Sequence, residues 1–279
     1  MTTFANLPPI AGLTSEADLQ ERARLQFGLA EAVTEYRAGD AAPIPSTEDR
    51  EGYYGTDHAG YWLSGLSDAL AVRKQAEASG LEPNARYFEF GCGSGRVVRH
   101  LALHTDMPIA CCDIKQRHTD WIRLFLPNRI EVFQNSMEPG LAIEDNSVDI
   151  ATAFSVFTHI DDFEAGWLLE LRRILRPGGL AYLTASTDHT WELYKHQWIK
   201  ERLLPIAAQI PGFAIDEQFF EGPLPREKSV FAVTGDHNPY PFMTFHQASY
   251  IRREWGRILK FQEIIPNGHF YQDVVLLTK

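Results

Sequence analysis

Apolar residues recur at helical spacing early in the chain. Leu19, Ala23, Phe27, Leu29 and Val33 form one broad stripe behind Ser15, an N-cap type of residue, and predict a helix over about 15–37. Gly39 to Pro45 reads as a linker. Tyr61, Leu63, Leu66, Leu70 and Val72 predict a second helix over about 57–79, stopped by Gly80. After Pro83 the texture changes. Residues 86–90, 108–112, 130–133, 148–154 and 180–184 read as strands, with helical spacing over 97–104, 117–126 and 163–175 between them. Strands alternating with helices at this spacing predict the α/β class, a doubly wound and mostly parallel sheet.

From about 187 to 246 the alternation stops. One helix candidate over 191–207 is followed by a stretch with Pro, Gly and aromatic residues. A long break inside an α/β unit is expected to serve as a lid or specificity insert. A helix over 248–259 and strands over 260–265 and 271–277 resume the pattern, and Asn267-Gly268 between the strands predicts an antiparallel hairpin turn. The expected layout is therefore a helical extension and linker over 1–50 and a main domain over 51–279 carrying the insert. The extension would cover the active site, join a homodimer, or do neither.

Composition narrows the function. The 279 residues are 44% hydrophobic and 23% charged, enough for a real core. The formal net charge of −11 argues against a dedicated nucleic-acid binder, which needs a basic face. No run approaches the ~18 apolar residues of a membrane span, and the start lacks a basic segment followed by an apolar one. Cys92, Cys111 and Cys112 show no paired framework and read as small core residues of a cytoplasmic protein.

The central chemical signal is Glu89-Phe90-Gly91-Cys92-Gly93-Ser94-Gly95-Arg96, placed after a strand and opening a helix. Gly91 and Gly93 let the backbone turn tightly and approach a ligand. A dinucleotide fingerprint would need glycine where Arg96 stands. Glu89 would repel a pyrophosphate but suits an ammonium or sulfonium. Asp113 ends the next strand, 18 residues beyond Gly95, where a carboxylate can accept both hydroxyls of a ribose.

These residues resemble class I S-adenosylmethionine-dependent methyltransferases, whose opening motif is an acidic residue followed by G-x-G-x-G. The resemblance implies a Rossmann-like, seven-stranded sheet with a C-terminal antiparallel hairpin, and S-adenosyl-L-methionine as cofactor. It implies cofactor contacts at Glu89, Gly91, Cys92, Gly93 and Gly95, at Asp113 for the ribose, and at Ile114 on the adenine. Asn135-Ser136-Met137 stands where the family often has Gly-Asp-Ala, so Ser136 and Met137 take those places and Ser136 replaces the usual Asp. Phe154, at the end of the fourth strand, is a further implied cofactor contact. The runs Asp145 to Asp149 and Leu171 to Gly179 look like the family's approaches to its fourth and fifth strands.

Methyl transfer to a hydroxyl needs a base. His159, in the loop after the fourth strand, and His246, at the edge of the insert, are the candidates. His189 and His196 read as surface residues. Asp161 and Asp162 read as helix caps rather than, with His159, as metal ligands, and no metal is expected. Tyr53, Tyr54, His58, Tyr61 and Trp62 form an aromatic cluster that either covers the pocket or packs a helix. Trp191, Tyr194, Trp198, Phe213, Phe219, Phe220, Tyr240 and Phe242 would either shape an acceptor pocket or form the insert's own core. No Asn/Asp-Pro-Pro-Tyr run follows the fourth strand; Phe154-Ser155-Val156-Phe157 stands there. The reading is an enzyme methylating a hydroxyl of a small molecule, a sugar or secondary metabolite. An N-methyltransferase for a small amine, a non-catalytic binder of the same cofactor and a nicotinamide oxidoreductase are its rivals.

Overall fold

Gly28 takes a left-handed conformation (φ 65°) and ends the first helix, α1, at Glu16–Phe27. The single helix expected over 15–37 is therefore two, the second being α2, Val33–Gly39. The structure is a computed structural model that describes residues 3–29, 33–208, 215–232 and 242–279. Its chain forms two units, one of residues up to Met137 with Val148–Ile150, the other of Glu138–Ser147 with Ala151–Lys279.

In the first unit, Ser15 caps α1 through its hydroxyl, which accepts the Asp18 N–H at 3.1 Å. Asp57 caps α3, His58–Ala78, by accepting the Gly60 N–H at 2.9 Å. Ile10, Leu19, Ala23, Val33 and Ile44 pack against Tyr61, Trp62, Leu63 and Leu66 of α3 in one buried cluster. Tyr61 and Trp62 of the aromatic group are thus core residues, while Tyr53 is 37% exposed. A buried polar node ties this layer to α4, Val98–His104. The Asp40 carboxylate accepts Arg99 Nε at 2.9 Å, Arg99 Nη2 at 2.8 Å and the Trp62 indole N–H at 2.7 Å.

The sheet of this unit contains β1 (Tyr87–Phe90), β2 (Ile109–Asp113) and β3 (Ile130–Gln134), with α5 (Gln116–Phe125) between the last two. β2 pairs in parallel with both neighbours, Phe90 opposite Cys112 and Asp113 opposite Gln134. The first half of β4, Val148–Ala153, lies beside β1, with the Asp149 and Ile150 amides donating to the Arg86 carbonyl.

The second unit holds the rest of β4, then α6 (Glu164–Ile174), β5 (Leu175–Thr187), α7 (Asp188–Tyr194) and α8 (Lys200–Ala207). It continues with β6 (Lys228–Ala232), β7 (Phe242–His246), α9 (Ala248–Glu254), β8 (Lys260–His269) and β9 (Gln272–Thr278). Within it the order is β8, β9, β5, β4. β9 runs antiparallel to both neighbours, from Asp273 opposite Ala185 to Thr278 opposite Leu180 on the β5 side. The chain thus builds the expected α/β fold, a mainly parallel sheet with a closing antiparallel pair.

Three details differ from the pattern reading. The insert is not without strands: β7 pairs in parallel with the end of β5, and β6 pairs antiparallel with β7, which adds two strands to the seven expected. The helix expected over 191–207 breaks at Gln197, whose backbone is not helical. There Trp191 and Lys195 both donate to the Gly222 carbonyl, at 3.2 and 3.0 Å, and hold the turn before the break. The hairpin turn lies at Phe270-Tyr271, because His269 pairs with Gln272. Asn267, at φ 49°, and Gly268 instead form a bulge inside β8. The Asn267 amide donates to Asp273 at 2.9 Å, and a Cβ on Gly268 would meet Val274 Cγ2 at 2.7 Å. No helix among the described residues is long and apolar enough to cross a membrane.

Candidate active site

The glycine loop is built by the end of β1 turning back over β2. Gly91 and Cys92 both donate their amides to the Cys112 carbonyl, at 2.9 and 3.0 Å. The next amide, that of Gly93, donates to Asp113 Oδ2 at 2.8 Å. Asp113 Oδ1 accepts the Lys115 amide at 2.9 Å and the His118 Nδ1–H at 3.0 Å. The carboxylate at the tip of β2 is therefore fixed in place by three donors, and Oδ2, which accepts only one of them, keeps capacity for a further hydroxyl. Gly93 has φ 53° and nothing within 4 Å of where a Cβ would stand, so this turn faces open space.

Glu89 is buried on β1, and the Tyr87 hydroxyl donates to it at 3.3 Å. Burial pushes its carboxyl up to about 8, against the pull of the Arg96 guanidinium and the Tyr87 hydroxyl. Arg96 pairs with Asp68 at 2.5 Å and sits 5.5 Å over the Tyr53 ring. Cys92 and Cys112 are buried free thiols whose pKa values burial raises, so they stay protonated.

Past β2 and β3, Ile114 is 37% exposed and Met137 69% exposed, and Ser136 is exposed as well. The residue that sequence reading passed over is Asn135. Its Nδ2 donates to the Ser136 carbonyl at 2.8 Å, which orients the amide, and its backbone N–H donates to the Asp113 carbonyl at 3.2 Å. Its Oδ1 is buried without a hydrogen-bond partner among the described residues. An Asn at the first place of the run that stands for Gly-Asp-Ala was the available signal.

The first unit thus brings Glu89, Gly91, Cys92, Gly93, Gly95, Asp113 and Asn135 together around one loop. Phe154, His159 and His246 belong to the second unit. Phe154 is buried against the rings of Tyr182 and His269, at 5.7 and 5.2 Å. Ser155 follows at φ 57°, its amide donating to Thr184 Oγ1 at 2.7 Å. His159 is pinned to β7, where Nδ1 meets the Phe242 carbonyl at 2.8 Å. A carbonyl only accepts, so Nδ1 carries the proton and the lone pair lies on Nε2. Burial lowers the His159 pKa, so the ring is neutral at pH 7.

His246 differs. It is fully buried, with Nε2 2.5 Å from Glu164 Oε2. The same Glu164 accepts the Tyr250 hydroxyl at 2.9 Å and the Trp255 indole N–H at 3.1 Å, and its carboxyl is held down at about 2 by His246, Lys228 and Tyr250 despite its burial. His246 is thus clamped inside its own unit by Glu164. Trp191 stacks on Phe220 and Phe231 and meets Phe219 and Phe245 edge-on, so these aromatic residues form the insert's core. Tyr194 and Trp198 instead gather at Tyr271, with Trp198 4.8 Å from its ring. Phe213 and Tyr240 lie outside the described residues. No group of three or more His, Cys, Asp or Glu among the described residues is placed to hold a metal ion.

Residues 88–183, which span the glycine loop to β5, match the family model of a methyltransferase domain. These residues form a methyltransferase domain, with S-adenosylmethionine as methyl donor. Solved structures share the fold. A chain of the complex between the Haloferax volcanii Trm112 methyltransferase activator and a methyltransferase superposes with TM-score 0.52 at 15% identity, over 82% of this chain and 97% of that one. An S-adenosylmethionine-dependent methyltransferase of Mesorhizobium loti gives 0.52 at 14% identity, over 76% and 99%. One from Methanosarcina mazei gives 0.51 at 14% identity, over 71% and 94%. No curated protein matches the chain.

The first unit fits this cofactor on its own chemistry. Open space at Gly93 leaves room for a ligand on the loop, Asp113 Oδ2 offers an acceptor for a ribose hydroxyl, and Asn135 Oδ1, without a partner among the described residues, is an acceptor of the kind an adenine amino group needs.

Proposed function

We propose that the chain transfers a methyl group from S-adenosylmethionine to a hydroxyl of a small molecule, a sugar or secondary metabolite, with His159 as the base. The observation that carries this reading is the hydrogen bond from His159 Nδ1 to the Phe242 carbonyl. It sets the ring in the tautomer that accepts a proton on Nε2, as a base for a hydroxyl must. The bound cofactor supplies an activated methyl on a sulfonium, so the protein's part is alignment, desolvation and proton removal. Glu89 favours the cationic end of the cofactor, Asp113 the ribose, Ile114 the flat face of the base and Asn135 its amino group. Tyr194, Trp198 and Tyr271 are the aromatic surface offered to an acceptor, and His159 and Tyr271 both feel the charge of Arg202. The acidic net charge and Phe154-Ser155-Val156-Phe157 after β4 speak against a nucleobase acceptor.

The test is a screen of sugars, phenols and aliphatic alcohols against small amines, with S-adenosylmethionine labelled in its methyl group. Label transferred to oxygen, and lost in His159→Ala, supports the proposal. Label found only on amines, with His159→Ala unimpaired, overturns it.

A further inference from the structure

Two of the three donors to the Asp113 carboxylate are backbone amides, those of Gly93 and Lys115. The third is a side chain, His118, in the first turn of α5. His118 and Asp113 are each 4% exposed, so their contact is shielded from water. A carboxylate only accepts, so His118 Nδ1 carries a hydrogen whichever charge state the ring holds. Lys115 and His118 both donate to Oδ1, at 2.9 and 3.0 Å, while Oδ2 accepts the Gly93 amide at 2.8 Å. Oδ1 is thereby filled, and the oxygen with a lone pair to spare is Oδ2, beside the glycine turn that faces open space. Neither element depends on this bond for its place. β2 is paired on both sides. α5 buries Thr119, Trp121 and Ile122, and the Trp121 indole N–H donates to Asn6 at 2.9 Å. What the imidazole fixes is the carboxylate itself.

We propose that His118 is a positioning residue for the methyl donor. It fills Oδ1 of Asp113 and so leaves Oδ2 to the ribose, which makes His118 a determinant of how strongly the site prefers a nucleoside that carries its ribose hydroxyls. His118 acts through Asp113 and not on the cofactor, and its role rests on the reading of Asp113 as the ribose carboxylate. A buried hydrogen bond to a charged acceptor holds that acceptor in one orientation before the ligand arrives, and the ligand then binds without the cost of ordering it.

The experiment titrates the full chain, His118→Leu and His118→Asn by calorimetry, with S-adenosylhomocysteine and with its 2′,3′-dideoxy analogue. Asn keeps an N–H donor at the place of Nδ1, whereas Leu has none. The unsubstituted chain is expected to bind S-adenosylhomocysteine more tightly than the analogue by about 10-fold or more. His118→Leu is expected to shrink that ratio by about 5-fold or more, and His118→Asn to restore it to within about 2-fold. An undiminished ratio in His118→Leu, with both ligands weakened alike or not at all, overturns the proposal and leaves His118 a staple between α5 and β2. Should His118→Leu not fold, nitrogen-15 spectra of the histidine-labelled, unsubstituted chain decide. The His118 Nδ1–H signal, assigned by its loss in His118→Asn, is then expected to shift with S-adenosylhomocysteine and not with the analogue, and an equal shift with both overturns the proposal. Equal affinity of the unsubstituted chain for the two ligands overturns the ribose reading of Asp113 and the role of His118 with it. That failure is told from the first because the preference is then missing before any substitution.

Discussion

The Gly93 amide donates to Asp113 Oδ2 at 2.8 Å, so the glycine loop and the ribose-type carboxylate are one structural piece. Removing the carboxylate takes away both a ligand for the ribose and a clamp on the loop. Asp113→Ala is expected to weaken S-adenosylhomocysteine binding by about 10- to 100-fold, the effect of a charge-assisted hydrogen bond worth about 1.5–3 kcal/mol. Calorimetry reads this directly, and an unchanged affinity would remove Asp113 from the cofactor site.

Two glycines two positions apart should fail in different ways. A Cβ on Gly95, at φ 79°, would stand 2.6 Å from Leu126 and 3.2 Å from Ile122. Gly95→Ala is therefore expected to cost about 1–3 kcal/mol of stability in denaturant titrations. Gly93→Ala meets no atom within 4 Å and should cost only its backbone strain, about 1 kcal/mol, while weakening cofactor binding. Equal stability losses with equal affinities would contradict this division.

The loop was legible because its chemistry is local: a strand, three glycines and an acid at fixed spacing. The parallel strands were legible because each is a short apolar run between helices. β6 and β7 escaped because five residues such as Lys228–Ala232 carry too little alternation, and their pairing with the end of β5 is a long-range event. Asn267-Gly268 has the conformation a hairpin turn wants, but tertiary packing on Val274 and the bond to Asp273 spend it on a bulge. Asn135 and Arg50 look like ordinary polar residues in sequence; only the structure shows Asn135 Oδ1 and the Arg50 Nε and Nη1 buried without partners among the described residues.

Glu89 couples folding and binding to protons. Its folded pKa of about 8 lies above its ordinary 4.5, so the folded state holds the proton more tightly. The contribution of Glu89 to stability thus falls as pH rises from about 4.5 to 8, and Glu89→Gln should flatten that part of the stability profile. A cationic ligand beside it draws the proton out. S-adenosylhomocysteine binding at pH 7 is expected to release ~0.5–0.9 proton, read from calorimetry in two buffers of different ionisation heat. Release equal to that of Glu89→Gln would place the cation elsewhere.

His159 is lowered from 6.5 by its burial, so its contribution to stability is lost as pH falls below 6.5 and the ring becomes charged. Turnover should show an acid limb with its midpoint below 6.5, and His159→Ala should lose ~100-fold in kcat with the fold intact. A loss under tenfold would leave the reaction without this base.

Asp40 is the sole carboxylate partner of the buried Arg99 guanidinium among the described residues. Asp40→Ala strands that charge and is expected to cost about 3–5 kcal/mol, seen as a lower denaturant midpoint. A loss below 1 kcal/mol would mean that the Ala42 and Pro43 carbonyls, also hydrogen-bonded to Arg99, hold it by themselves.

The most direct measurement is calorimetric titration of the full chain with S-adenosylhomocysteine, with NAD run in parallel. Saturable one-to-one binding of S-adenosylhomocysteine and no heat from NAD is the expected result. Binding of NAD with none of S-adenosylhomocysteine would contradict the central claim, that the loop from Glu89 to Gly95 and the carboxylate of Asp113 hold a methyl donor.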